Sequence, residues 1–459
     1  MRFGLASVSL IAALAAPALA QPPSEPAGMA SFEKDLDALF VSGGLTADAA
    51  AKRAVKTSPA VRRAAASIDV AVATTKSSEL VRVPRVALSA TYTRLSPIDP
   101  ISLSPDPASP KLVFLENSYV GEASVNINLS DYITRYPKLI AGAKLGLEAA
   151  RSSKRASELD AGQEARIAYY EWVRAKLQVM IATRQLTQVR GTLGQVRALA
   201  EAQRLSTADR MRVESQEAQA EQVRDQLTQL AELREEQLRL FIGAGNEPLT
   251  IGEDIRGEQA APNSQALDAL MAIASKQRLE FHALETGIAA KEKQRDAEKA
   301  AAYPKLSAFA STDYARPNNR VFPQVDEFKL TWAAGLQVSW TLNDTLITRA
   351  NVARFDAEAR ELKADRENLE RGTRIQVLAA QQAVTLAQKT MVTSQKGLAA
   401  AEESYRVRQA LLAAQRATAV ELVDAETELT RARITSLNAK IDLRVALTQL
   451  TYALGNDSK

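Results

Sequence analysis

The sequence predicts an α+β membrane protein built from two copies of one plan: a helix, two strands, a long helix and a shorter return helix. Three observations support this prediction. One motif recurs at an offset of 212 residues, four short stretches alternate apolar and polar residues, and two very long runs lack proline. The composition agrees, because aromatic residues are only 5% of the chain, which favours long helices over a compact globule.

The first residues resemble an export signal. Arg2 is followed by an apolar run over residues 3–19, and Ala18-Leu19-Ala20 fits a small-residue cleavage site. We therefore predict a cleaved signal peptide at residues 1–20. Prolines and glycines over residues 21–44 predict a flexible N-terminal leader.

Composition excludes several classes of function. The chain has no cysteine, so it has no disulfide, thiolate metal site or lipid-bearing cysteine. Its single histidine, His282, cannot hold a metal alone. Acidic and basic residues interleave, which argues against a nucleic-acid partner. No nucleophile, base and orienting residue occur together, so we predict no enzyme activity, catalytic residue or cofactor.

The first repeat is predicted at residues 45–245 and the second at residues 264–455, with a linker at residues 246–263 and a tail at residues 456–459. Predicted helices cover residues 45–80, 133–205, 206–242, 264–299, 346–416 and 418–454, with a break at Pro59. Predicted strands cover residues 84–95, 118–129, 304–314 and 329–341. The run over residues 133–204, which has no proline after Pro137, would be about 108 Å long at roughly 1.5 Å per residue.

The recurring motif marks two helix starts. Ser206 precedes Asp209 by three residues, as Thr418 precedes Glu421, and Glu214 and Glu426 follow at matching positions. A hydroxyl followed by an acid at this spacing is typical of a capping box, in which each side chain bonds a backbone N–H at the helix start. We therefore predict that both motifs lie at the tips of helical hairpins.

The strands fit a membrane. Residues 329–340 span roughly 40 Å, or about 28 Å when tilted near 45°, which suits a bilayer core. Trp332 and Trp340 lie on the apolar face, near the separation of two interfacial aromatic girdles. Polar residues of the opposite faces would line a wet lumen: Ser118, Glu122, Ser124, Asn126, Asn128, Thr331, Gln337 and Ser339. In the alternative interpretation these are amphipathic strands of a soluble core. Four strands cannot close alone in a membrane, so several subunits would share one barrel.

The order of these elements resembles the TolC-type outer membrane efflux proteins of Gram-negative bacteria over about residues 45–455. The residues that carry the resemblance are Thr418 to Glu426 at the second tip, Leu45-Thr46 and Ser58-Pro59 at the start, and the strand openings Val83-Pro84-Arg85-Val86 and Tyr303-Pro304-Lys305-Leu306.

The resemblance implies a homotrimer in which a twelve-strand transmembrane barrel continues into a periplasmic barrel of twelve paired helices. It also implies acidic residues around the constricted periplasmic end, at Glu421 and Asp424. The chain departs from the family where Gln203 and Gln415 replace a usual glycine, and where Ala417 replaces a basic residue that latches the tip in some members.

The first tip carries Arg210 and Arg212 where the second carries Leu422 and Asp424, so we expect it on an outer or adaptor-facing helix.

Through this resemblance we expect an outer-membrane channel-tunnel, the passive exit duct of a tripartite efflux or type I secretion system. Its implied partners are a periplasmic adaptor (membrane fusion) protein, an inner-membrane transporter of the RND or ABC type, and outer-membrane lipid. A periplasmic coiled-coil adaptor or structural scaffold is the alternative. Such adaptors carry one hairpin flanked by small soluble domains.

Overall fold

The computed structural model of the chain describes residues 27–102, 104, 111–112, 114–203, 206–257, 265–414 and 416–456. The expected signal peptide at residues 1–20 and Gln415 lie outside the described residues. The first half contains α1 (Ala27–Leu39), β1 (Phe40–Leu45), α2 (Ala47–Thr57), α3 (Pro59–Leu80), β2 (Arg85–Arg94), β3 (Ile101–Ser102), β4 (Lys111–Leu112), β5 (Asn117–Asn128), α4 (Leu129–Thr134), α5 (Tyr136–Glu201) and α6 (Thr207–Ile242). The second half contains α7 (Leu267–Gln277), α8 (Leu279–Lys299), β6 (Lys305–Arg316), β7 (Lys329–Ser339), α9 (Leu342–Ala413) and α10 (Ala419–Ala453).

Two long helical hairpins dominate the molecule. Helices α5 and α9 have 66 and 72 residues, or about 99 and 108 Å at 1.5 Å per residue. Each returns through a shorter helix, α6 or α10, and the hairpins lie side by side because α5 packs against α10. Gly243 and Gly455, with φ of 62° and 80°, follow the return helices in left-handed backbone, which glycine adopts without a Cβ clash.

The expected flexible leader is wrong for the described part of residues 21–44. Helix α1 covers Ala27–Leu39, and its Leu36 is only 2% exposed in the main core. Strand β1 then pairs with the segment between the two halves, where the Leu45 N–H donates to the Thr250 carbonyl at 2.8 Å. Gly44 permits this approach, since a Cβ there would lie 2.8 Å from that segment's backbone.

The helix expected over residues 264–299 is divided in two. Helix α7 ends at Gln277 and α8 begins at Leu279, because Arg278 has extended backbone. The end of α10 packs into this break, and a Cβ on Gly455 would lie 2.7 Å from the Arg278 nitrogen. The first half has the same break at Ser58, between α2 and α3, and there Pro59 marks the break in the sequence.

The four long strands form one antiparallel sheet in the order β2-β5-β6-β7. Its register places Val86 opposite Val125, Val125 opposite Ala310, and Ala310 opposite Ala334. Since side chains alternate between faces along a strand, this register gathers the apolar residues of all four strands on one face. Strands β2 and β7 are the two edges of this sheet.

The apolar face of the sheet is open in the single chain. Leu88 is 80% exposed, Trp332 73% and Leu336 70%. A sheet in a soluble core has its apolar face covered by helices or by a second sheet. The helices that the structure describes do not cover that face, which argues against the alternative of a soluble core.

The main hydrophobic core lies instead around the middle of the long helices. Tyr169 and Trp172 of α5 are almost fully buried there, together with Leu238 of α6, Ile441 of α10 and Leu36 of α1. Aromatic side chains are rare in this sequence, and burial of two large rings contributes much of the apolar area available to hold the elements together. This core fixes the hairpins in the middle, and their tips project from it.

Candidate hairpin-tip gate and membrane-facing sheet

Both hairpin tips carry side-chain caps at the predicted residues. The Ser206 hydroxyl accepts a hydrogen bond from the Asp209 N–H at 3.1 Å and donates to the Asp209 carboxylate at 2.7 Å. Thr418 accepts from the Glu421 N–H at 3.2 Å. In each case the hydroxyl satisfies one of the free N–H groups that begin α6 and α10.

Glu421 and Asp424 lie in the first turns of α10, and both pair with arginine within the chain. Arg408 of α9 donates to the Glu421 carboxylate, which ties the second hairpin together just above its tip. Arg212 of α6 lies 3.7 Å from Asp424 and joins the first hairpin to the second. All four side chains are roughly half exposed, so each pair remains accessible to water.

The structure adds a contact at the first tip that the sequence did not predict, because Arg212 faces Asp424 of the neighbouring hairpin. The outer or adaptor-facing position of the helix with Arg210 and Arg212 stays a prediction. The pairing could not be inferred from spacing along one helix, because it depends on how α6 lies beside α10. Arg408 was missed for a similar reason, since it stands 13 residues before Glu421 and meets it only across the hairpin turn.

Above the ion pairs, a small apolar seam joins the two hairpins. It consists of Leu193 and Val196 of α5, Val213 of α6 and Val423 of α10, all at most 2% exposed. Glu426 lies beside this seam and is itself only 3% exposed. Its burial raises its pKa to about 7. The repeat identified Glu426 as the counterpart of Glu214 but did not predict its burial.

Aromatic side chains lie at both ends of the sheet along the strand direction. At the end away from the long helices, the rings of Tyr92, Tyr119, Tyr314 and Phe328 form a chain of neighbours with centroids 5.0 to 6.3 Å apart. At the other end, the Trp340 indole donates to the Ala302 carbonyl at 3.1 Å.

Trp332 lies on the exposed apolar face of β7, and Trp340, which follows the end of the strand, is 57% exposed. Their role as a membrane girdle stays a prediction. The tyrosines of β2, β5 and β6 were not proposed as part of a girdle, although their strand positions place them on the same face.

The opposite face of the sheet is polar. Glu122 lies opposite Asp313 between β5 and β6, and Ser124 lies opposite Ser311. Phe309 is an exception, and its ring occupies the space beside Gly335, where a Cβ would lie 3.1 Å from the ring. Two carboxylates side by side repel in an apolar environment, so their position favours contact with water.

The histidine of the chain lies at a surface contact between two helices. His282 contacts Ser152 at 3.0 Å and Glu148 at 3.6 Å, in a surface pair of α8 with α5. Within the described ranges, no group of three or more histidine, aspartate or glutamate residues could hold a metal ion. Of the helices described, none is long and apolar enough to cross a membrane.

Comparison with known proteins identifies relatives by family and by fold. Residues 270–456 match the outer membrane efflux protein family. No curated protein matches the chain.

Among solved structures, the CmeC outer membrane channel of Campylobacter jejuni shares 13% identity and a TM-score of 0.73, covering 92% of this chain and 87% of its own. The MtrE outer membrane channel of Neisseria gonorrhoeae, in its open state, shares 18% identity and a TM-score of 0.73, covering 89% of each chain.

The outer membrane protein VceC of Vibrio cholerae shares 15% identity and a TM-score of 0.70, covering 90% of this chain and 97% of its own. Identities this low compare folds and carry no residue roles from one protein to another. Residues 270–456 are thus similar to the outer membrane efflux protein family, and the fold of the chain is that of the CmeC and MtrE outer membrane channels.

Proposed function

We propose that three copies of this chain form an outer-membrane channel-tunnel that serves as the passive exit duct of an efflux or secretion system. The observation that carries this proposal is the sheet. Its apolar face is exposed, its other face is polar, and aromatic residues stand at both ends. That arrangement is the reverse of a soluble sheet and matches a wall between lipid and water.

Closure of the sheet requires more than one copy. A sheet that spans a membrane must have no open edge, because unpaired backbone groups in lipid each cost several kcal/mol. Strands β2 and β7 are both edges here, so β7 of one copy would pair with β2 of the next. Three copies would supply twelve strands, which lies within the range of known barrels.

The strand lengths agree with a bilayer. Strand β5 has 12 residues, which span about 40 Å at 3.4 Å per residue and about 28 Å at a tilt near 45°. The apolar face would then contact outer-membrane lipid, and the polar face, with Glu122 and Asp313, would line the water-filled lumen.

The long hairpins would continue the barrel into the periplasm. Helices α5, α6, α9 and α10 from three copies would form a tunnel of twelve helices, with its far end at the tips capped by Ser206 and Thr418. There Glu421 and Asp424 would contribute six carboxylates to one constriction. Carboxylate rings favour cations over anions in a pore.

Opening of this constriction would require the Arg212–Asp424 pair to separate, because it joins neighbouring hairpins. We propose that a periplasmic adaptor (membrane fusion) protein and an inner-membrane transporter of the RND or ABC type provide that force at the tips. The chain would then act as a conduit and not as an enzyme, and the transporter would select what is exported.

Membrane fractionation followed by conductance recording tests this proposal. We expect the mature protein in the outer-membrane fraction, as a trimer in detergent by native mass spectrometry, and with channel activity in planar bilayers. A monomer in the soluble periplasmic fraction with no conductance would overturn the proposal and favour the alternative of a coiled-coil scaffold.

A further inference from the structure

Glu426 is the buried carboxylate at the contact between the two hairpins. It follows Val423 of the apolar seam by three residues, which places both side chains on the same face of α10. Its Oε1 lies 3.5 Å from the Thr192 hydroxyl of α5, a long contact. Its Oε2 has no hydrogen-bond partner in the part of the chain that the structure describes.

An ionised carboxylate in this place would be poorly compensated. A buried charge is stable only when it is paired and hydrogen-bonded, whereas a protonated carboxyl can be buried at much lower cost. Glu426 has one long hydrogen bond and a second oxygen without one. The contact between the hairpins therefore favours the protonated form of this side chain.

The charged and titratable neighbours do not supply the missing partner. From α9, Tyr405 is near enough for the charge of Glu426 to raise its pKa, although burial is the larger cause, so Tyr405 supplies no positive charge. Arg433 stands two turns further along α10, about 10 Å away by helix rise, and its guanidinium lies 4.4 Å from the Phe32 ring of α1.

The cations of the other helices are held elsewhere. Arg184 of α5 pairs with Asp35 of α1 at 2.7 Å. From α6, Arg212 faces Asp424 on the water-exposed side of α10. Arg184 and Arg212 therefore each have a carboxylate partner other than Glu426, and burial is the largest influence on the pKa of Glu426.

We propose that Glu426 is a proton-dependent switch between the two hairpins. With its proton, the side chain packs beside the seam and the tips stay together; without it, the charge draws water into the seam and the hairpins separate. The inference rests on the proposed function, because separated tips would widen the constriction formed by Glu421 and Asp424.

The direction of the pH effect follows from linkage. With the tips together, burial raises the pKa of Glu426 to about 7; once water reaches it, the group returns toward its ordinary value of 4.5. The closed form therefore binds more protons between these values, and rising pH favours the open form. The opening equilibrium should rise by up to about tenfold per pH unit between 4.5 and 7, then level off.

The first repeat offers a matched control. Glu214 occupies the equivalent position, but its side chain is 32% exposed and pairs with Arg197 at 3.3 Å. A substitution there removes a carboxylate at the same distance from a hairpin tip without touching the seam. The control variant is Glu214→Gln.

Distance measurement between the tips tests the switch directly. The chain has no cysteine, so spin labels can be placed with Met211→Cys and Arg416→Cys, both at exposed positions. Doubly labelled full-length chain is mixed with excess unlabelled chain, so that pulsed electron paramagnetic resonance reports distances within one copy. The measurement is made at pH 5 and pH 8, and channel open probability is recorded over the same range.

We expect longer tip distances and more opening at pH 8, and the same behaviour in Glu214→Gln. In Glu426→Gln the neutral side chain should hold the short distance at both pH values, and Glu426→Leu provides a second neutral variant. A pH-dependent distance that survives in these variants, or a wild-type distance that does not change, would overturn the switch. A switching distance without any conductance would support the switch and overturn the proposed channel.

Discussion

At the residue scale, the caps should have a measurable local effect. Replacement of Thr418 by alanine removes the acceptor of the Glu421 N–H, and such caps contribute about 1 kcal/mol to the first turn. We expect faster amide hydrogen exchange over residues 419–422, by about fivefold. Thr435→Ala, an exposed threonine in the middle of α10 that bonds only its own helix, is the control and should leave these amides unchanged.

The Arg212–Asp424 ion pair, which joins the two hairpins, should affect channel opening more than an ion pair within one hairpin. Removal of Arg212 leaves Asp424 without its neighbour on α6, and an exposed pair of this kind is worth a factor of about two to five in an equilibrium. We expect Arg212→Ala to raise channel open probability by that factor. Arg197→Ala removes an ion pair inside the first hairpin and is the control. If it raised the open probability equally, the Arg212–Asp424 pair would not specifically hold the channel closed.

The sequence predicted the chemical role of these residues better than it predicted which residues they contact. Ser206 and Thr418 could be found because a cap acts within one turn of helix, where sequence spacing equals spatial spacing. Arg212, Arg408 and Glu426 acquire their roles from helices that are distant in sequence. The placement of Glu421 and Asp424 at a constriction remains a prediction.

At the scale of elements, Gly455 controls the break between α7 and α8. It has φ of 80°, and a Cβ would meet the backbone of Gln277 and Arg278 at 2.7 to 2.9 Å. Gly455→Ala should therefore lower thermal stability, by roughly 1–3 kcal/mol. Gly191→Ala, in the interior of α5 with nothing within 4 Å of its Cβ, should instead be neutral or stabilising by up to about 1 kcal/mol. Thermal unfolding of both variants compares the two directly.

Most elements could be located from periodicity and from proline and glycine, and the exceptions have clear causes. Helix α1 was missed because the prolines before it and the glycines after it suggested a leader, although Phe32 and Leu36 are spaced to pack on one face. The break at Arg278 was missed because no proline marks it. It exists because the end of α10 occupies that space, which is tertiary information.

At the scale of the whole molecule, the two faces of the sheet should respond differently to charge. Leu336 lies on the exposed apolar face and Gln337 on the polar face. Arginine on the lipid side of a barrel near mid-membrane costs about 2–4 kcal/mol, whereas the lumen accepts it. We expect Leu336→Arg to reduce the amount of trimer in the outer membrane severalfold, measured by fractionation. Gln337→Arg should assemble normally and change ion selectivity. If both variants assembled equally well, the prediction that the apolar face contacts lipid would be wrong.

The two unpaired edges of the sheet also affect how the chain behaves before it assembles. Chains that present open edges and bare apolar strands in water are prone to aggregate. One copy has two open edges. In the proposed trimer, two joined copies would still have two, and only closure of the ring would remove both together. Partly assembled forms therefore gain no protection, and the yield of the protein should depend on how quickly copies meet or are sheltered by chaperones. Overproduction beyond that rate should fill the periplasm with aggregate and leave no stable dimer to isolate.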